Sequence, residues 1–106
     1  MESQDDLVFQ LEVVDAGDPL LVMVGGEFDA HASQSFDRAI DDLASSAPER
    51  VVIDLQGVSF IDSSGLRSLV RARKTLTASA MSLRNLQPGT VRLLEITGLT
   101  GEFQIA

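Results

Sequence analysis

Residues 50–66 read "RVVIDLQGVSFIDSSGL", and the two ends of this stretch follow different rules. In "RVVIDL" the β-branched residues run together, with Val51, Ile53 and Leu55 on one face and Val52 on the other, the pattern of a central strand covered on both sides. From Asp62 the pattern changes: an acid, two hydroxyls and a glycine fill consecutive positions as Asp62, Ser63, Ser64 and Gly65. Leu66, Leu69, Val70 and Leu76 then recur at helical spacing, while Arg67, Arg71 and Lys74 form an outward stripe, which predicts a helix over 63–77. A strand that feeds a helix in this way is half of a strand–helix–strand unit, so the flanking sequence should supply its partners.

Upstream, "LVFQLEVV" (7–14) and "LLVMV" (20–24) are strand candidates joined by the turn cluster "DAGDP", a connection short enough to make them antiparallel. "GGEFDAHAS" then breaks the second strand and leads into a helix with Phe36, Ala39, Ile40, Leu43, Ala44 and Ala47 on one stripe. Downstream, "AMSLRNL" reads as a strand. Pro88 suits the first turn of a helix bearing Val91, Leu93 and Leu94 that Gly98 stops, and "EFQIA" is a short last strand. The predicted order is ββαβαβαβ, a single α/β domain over 1–106 with helices packed on a mixed, mostly parallel sheet. Loops that leave the carboxyl ends of parallel strands share one rim, where ligands and partners generally bind. That rule brings together 27–33, 56–64 and 85–88, and with them Asp29, His31, Asp62, Ser63 and Ser64.

Composition narrows the function classes. With 106 residues, 44% apolar and 23% charged, the chain is one globular domain's worth rather than a disordered or fibrous sequence. Cysteine is absent, which removes disulfides, thiolate metal sites and cysteine catalysis and fits a reducing compartment. The acidic start "MESQDD" is no secretory leader, and the apolar run "LLVMV" is far short of a bilayer span, so a soluble cytoplasmic protein is expected. The net charge of −8 and the lack of Trp and Tyr argue against direct nucleic-acid binding. Residues 1–62 hold fourteen acids and two bases, residues 63–106 two acids and six bases, so the sign of the charge changes at Ser63. Such asymmetry bears on association, not on fold.

At the rim, Asp62 or a serine serves as an N-cap, whose side-chain oxygen takes free first-turn N–H groups and contributes about 1 kcal/mol. Capping explains one such residue, not three, nor a helical glycine that costs about 1 kcal/mol relative to alanine. Gly65 points to a close approach of something to the backbone. A hydroxyl at a helix N-terminus can also carry a phosphate. Beside Asp62 and Asp29, such a dianion would be repelled by each carboxylate by about 1–4 kcal/mol at about 7 Å, depending on screening. That is enough to weaken a docked partner severalfold to about a thousandfold. A Ser63–His31–Asp29 hydrolase lacks a glycine-flanked nucleophile elbow and an evident oxyanion hole. Asp29, His31 and Asp62 match no metal-site spacing. No enzymatic activity, cofactor or metal is expected.

The run "VVIDLQGVSFIDSSGL" closely resembles the signature of STAS domains, the family of bacterial anti-sigma factor antagonists, also called anti-anti-sigma factors. That signature is a strand ending in Asp-Leu, a short hydrophobic turn and Asp-Ser-Ser/Thr-Gly-Leu. "GEFDAHAS" resembles the family's Gly-Glu-Leu/Ile-Asp segment, and "VRLLEITGLTGEFQI" its third helix, glycine and final strand, so the resemblance spans nearly the whole chain. It implies a partner-switching cycle in which an anti-sigma factor that is also a serine kinase binds the unmodified protein and so frees a sigma factor. The kinase then phosphorylates the serine after the motif's aspartate, here Ser63, with Ser64 the second candidate, and a serine phosphatase resets the cycle. By position, Asp29 and Asp62 would flank the kinase-facing rim, Ser64 would support the loop, Gly65 and Leu66 would shape the docking surface, and Arg67 and Arg71 would meet acidic partner groups.

Two features depart from the family pattern: many members continue into a further helix that has no counterpart before Ala106, and Ala30-His31-Ala32 is less polar than usual after the aspartate. The alternative within the same fold is an accessory subunit of a transport system or a scaffold in a stress-sensing assembly, with no phosphorylation cycle. Ser63 separates the two, because only a switch is sensitive to its replacement.

Overall fold

The computed structural model describes residues 8–15 and 17–106; Leu7, placed by the sequence in the first strand, lies outside them. Strands β1 (Gln10–Val14), β2 (Leu20–Phe28), β3 (Arg50–Ile61), β4 (Ala80–Arg84) and β5 (Gln104–Ile105) form one sheet in chain order. Helices α1 (Ala30–Ser45), α2 (Ser63–Thr75) and α3 (Pro88–Thr97) connect the parallel strands, and a 3₁₀ turn at Thr100–Glu102 precedes β5. β1 pairs antiparallel with β2 and every later pair is parallel, as the order of elements predicts.

The apolar pattern of each element accounts for the core. Leu20, Val22 and Val24 of β2, Val51, Ile53 and Leu55 of β3 and Leu83 of β4 bury their side chains against Phe36 and Ile40 of α1, Leu66, Leu69 and Ala72 of α2 and Leu94 of α3. All three helices thus cover the same face of the sheet, as follows when neighbouring parallel strands are laid down in chain order with crossovers of one hand. This corrects the expectation that β3 is covered on both sides. Val52 points to the face away from the helices and is half-buried, in a row with Val14, Leu21 and Ser82.

Several boundaries also differ from the sequence reading. "GGEF" does not end β2; it continues the strand to Phe28 through register shifts between Met23 and Gly25 and between Gly26 and Glu27. Gly26, at φ +81°, sits so close to Val8 that a Cβ would lie 2.0 Å from its carbonyl oxygen, so this glycine marks an irregularity inside a strand and not a stop. The same pairing draws "QGVSFI" into β3: Gly57 lies beside Gly25 and Phe60 beside Glu27. What reads as a nine-residue loop is therefore mostly strand, and only Asp62 separates β3 from α2. Ala47 falls outside α1 with φ 47°, and Asn85 ends β4 with φ 57°. Gly98 caps α3 in the left-handed conformation, where the sequence puts the stop.

Candidate functional site

β2 and β3 finish side by side, with Phe28 paired to Ile61 as the last rung of their ladder. The next residue on each strand is an aspartate, and each caps a helix. The Asp29 side chain accepts a hydrogen bond from the Ala32 N–H at 3.0 Å, and the Ser33 hydroxyl donates to the Asp29 carbonyl at 2.9 Å. Asp62 Oδ1 accepts from the N–H groups of Ser64 at 2.9 Å and Gly65 at 3.1 Å. The two turns are joined directly, because the Asp62 N–H donates to the Phe28 carbonyl at 3.4 Å. Asp29 and Asp62, thirty-three residues apart in sequence, thus converge at one end of the sheet.

Asp62 being the cap fixes the environments of the residues after it. Ser63 is the first helical residue and is exposed, its hydroxyl bonded to no described residue. Ser64 is half-buried at the mouth of a groove of about 230 Å³ between α1 and α2, lined also by Ala30, Ser33, Asp37, Arg67 and Arg71. Gly65 is buried, and what approaches its backbone is the protein's own strand: a Cβ there would lie 2.4 Å from the Phe28 carbonyl oxygen and 2.9 Å from Ile61 Cγ1. Leu66 is 5% exposed and belongs to the core. Gly65 and Leu66 are therefore buried where α2 meets β2 and expose little surface of their own at the rim.

The basic stripe of α2 divides in two. Arg71 Nη2 holds Asp41 of α1 at 2.9 and 3.0 Å, with Asp37 3.9 Å from Nη1, so this guanidinium clamps the two helices together. Arg67, one turn nearer the rim, is exposed and pairs with no described carboxylate. His31 is exposed on α1, and among the described residues no three histidine, aspartate or glutamate side chains are grouped to hold a metal ion.

The third loop meets β3 short of Asp62, where Gln87 lines a small cavity with Phe60 and Ile61. β4 makes its last pairing with β3 at Asp54–Arg84, whereas β3 runs on to Ile61, so 85–88 is set back along the strand. Its polar side chains serve Asp54 instead, which is 3% exposed. Asp54 accepts from the Gln56 N–H at 2.9 Å, Arg84 Nε at 3.0 Å and Asn85 Nδ2 at 3.0 Å, and the Gln87 side chain donates to the Gln56 carbonyl. Burial pushes the Asp54 carboxyl up, but the Gln56 N–H, Arg84 and Asn85 together outweigh it and hold its pKa below the ordinary aspartate value. The sequence reading passed over Asp54, although a lone acid in a β-branched run was the signal. It also passed over Phe60, which is 50% exposed two residues before Asp62, because it fell in a segment read as loop.

The sequence and fold are similar to those of known proteins. The family profile described as "STAS domain" matches residues 10–106. A STAS-domain containing protein of Pseudomonas aeruginosa is 32% identical over 92 residues, covering 85% of this chain and 90% of that protein. The anti-sigma-B factor antagonist of Listeria monocytogenes is 36% identical over 92 residues, covering 83% of this chain and 79% of the relative. Among solved structures, an anti-sigma factor antagonist from Mycobacterium paratuberculosis superposes with a TM-score of 0.84 at 28% identity, covering 92% of this chain and 85% of that one. With the profile spanning all five strands and the three helices between them, the chain belongs to the STAS domain family.

Proposed function

We propose that this domain is an anti-sigma factor antagonist that binds an anti-sigma factor with serine kinase activity while Ser63 is unmodified, and releases it when Ser63 is phosphorylated. In the modification, Ser63 Oγ takes the γ-phosphoryl group of ATP, with loss of the hydroxyl proton and release of ADP; a serine phosphatase reverses the state. The domain's own part is binding, not catalysis. Support comes from relatives that carry the name anti-sigma factor antagonist and, on the molecule, from the setting of Ser63.

That setting carries the reading. A phosphate at a helix N-terminus is normally welcomed by free N–H groups, but here Asp62 Oδ1 already takes those of Ser64 and Gly65. Phosphorylation would therefore place a dianion beside the capping carboxylate, with Asp29 on the adjoining turn, instead of filling a vacant anion site. The modification alters the charge of a docking rim at a position whose hydroxyl bonds to no described residue, so the fold tolerates both states.

The test is intact-mass analysis of the chain after incubation with ATP and candidate anti-sigma factor kinases of the source organism, followed by peptide mapping. One added phosphate, mapped to Ser63 and absent from Ser63→Ala, is the expected result. No added phosphate, or one mapped away from Ser63, defeats the proposal in favour of a scaffold or transport-associated role.

A further inference from the structure

We infer that Arg67 is the internal hydrogen-bond donor to the phosphate on Ser63, so that phosphorylation both adds negative charge to the rim and removes an exposed cation beside it from use. The inference rests on the reading of Ser63 as the modified residue. It starts from the exposed ridge of α2, which runs Ser63, Arg67, Arg71, Lys74. Residues four apart in a helix lie one above the other, with side chains inclined toward the N-terminus, so the Arg67 side chain is within reach of Ser63.

The charges on this ridge are differently committed. Arg71 is held by Asp41 and Asp37 from α1, whereas Arg67 pairs with no described carboxylate. The acid that shares a groove with Arg67 is Asp37, and its ion pair is with Arg71. Arg67 therefore carries a guanidinium without an internal partner, on the helical turn that follows Ser63. A guanidinium is also the side chain best shaped to hold a phosphate by paired N–H donors.

The opposing groups at that position are the two caps. Asp62 and Asp29 both disfavour the dianion, and the first-turn N–H groups of Ser64 and Gly65 are taken by Asp62. Arg67 is thus a side chain that can compensate a phosphate without dismantling the cap of α2, since Asp62 takes the N–H groups of Ser64 and Gly65 but not that of Ser63. In the unmodified protein the same guanidinium is open to a carboxylate on the partner; in the phosphorylated protein it is satisfied from within. Phosphorylation would then weaken docking twice over, by repulsion and by withdrawal of an attractive contact.

The phosphate's own ionisation reports this directly. The full chain with phosphoserine installed at position 63 during translation would be titrated by ³¹P NMR, alongside the same protein carrying Arg67→Gln or Arg67→Lys, with circular dichroism confirming the fold of each. A cation beside the phosphate favours the dianion, so the second phosphate pKa should rise by about 0.3–0.5 unit in Arg67→Gln, remain near the parent value in Arg67→Lys, and converge among all three proteins in high salt. Equal pKa values in the parent and Arg67→Gln would overturn the role of Arg67, as would a rise of equal size in Arg67→Lys. Because the phosphoserine is installed without the kinase, this outcome is separate from whether the kinase modifies Ser63: an unchanged pKa in a chain that the kinase does phosphorylate there removes Arg67 alone.

Discussion

Gly65 is the residue on which the rim's geometry turns. Its backbone lies against the end of β2, and a methyl group there would collide with the Phe28 carbonyl oxygen at 2.4 Å and with the Phe28 ring and Ile61. The oxygen belongs to a backbone paired on both sides of the turn, so it cannot swing away as a flexible side chain would. Gly65→Ala should therefore lower stability by about 2–3 kcal/mol despite alanine's better helix propensity, read as a fall in the urea midpoint with the slope unchanged. A midpoint equal to or above the parent's would show that α2 can shift outward without penalty. The sequence shows that something comes close to Gly65; that it is the protein's own β2 and not a ligand depends on a contact between residues thirty-seven positions apart, which no local pattern carries. The two serines are separated by the same logic: once Asp62 is the cap, Ser63 faces solvent and Ser64 faces the α1–α2 groove.

Among the elements, β3 joins the core to the site, and its long reach past β4 explains most of the differences from the sequence reading. The β-branched half was legible because periodicity and propensity agree there; the second half, "QGVSFI", was not, because glycine and serine signal a turn locally while pairing with β2 holds them in the ladder. For the same reason the meeting of Asp29 and Asp62 was legible from strand order, whereas the separation of 85–88 from them required knowing where β4 stops. Asp54 anchors that stopping point, tying the β3 bend at Gln56 to Arg84 and Asn85. Its folded pKa lies below its ordinary value of 3.8, so its contribution is present above that value and is lost as the pH falls through the lower, folded one. Asp54→Asn should cost about 2 kcal/mol at neutral pH, measured by denaturant unfolding, and the gap between variant and parent should narrow as the pH falls below 3.8 and through the lower, folded value. A gap that persists unchanged into acid would mean that the carboxylate's charge is not what holds the network.

At the scale of the whole molecule, the helices cover one face of the sheet and leave the other open, while the strand ends present Asp29, Asp62 and Ser63 together on the edge where α1 and α2 begin. The change in charge along the chain at Ser63 has a local structural counterpart: Asp37 and Asp41 of α1 lie against Arg71 of α2, which consumes part of the contrast internally. Arg67 is left at the rim. Under the proposed function this surface changes its affinity for one protein when the Ser63 hydroxyl is modified, and such a change is measurable without knowing the signal upstream. The decisive measurement is the dissociation constant for the anti-sigma factor that the unmodified chain binds, determined calorimetrically for the unmodified chain and for the chain with phosphoserine at position 63. The account predicts tight binding of the first and at least tenfold weaker binding of the second, about 1.4 kcal/mol or more. Equal affinities for the two forms would contradict it.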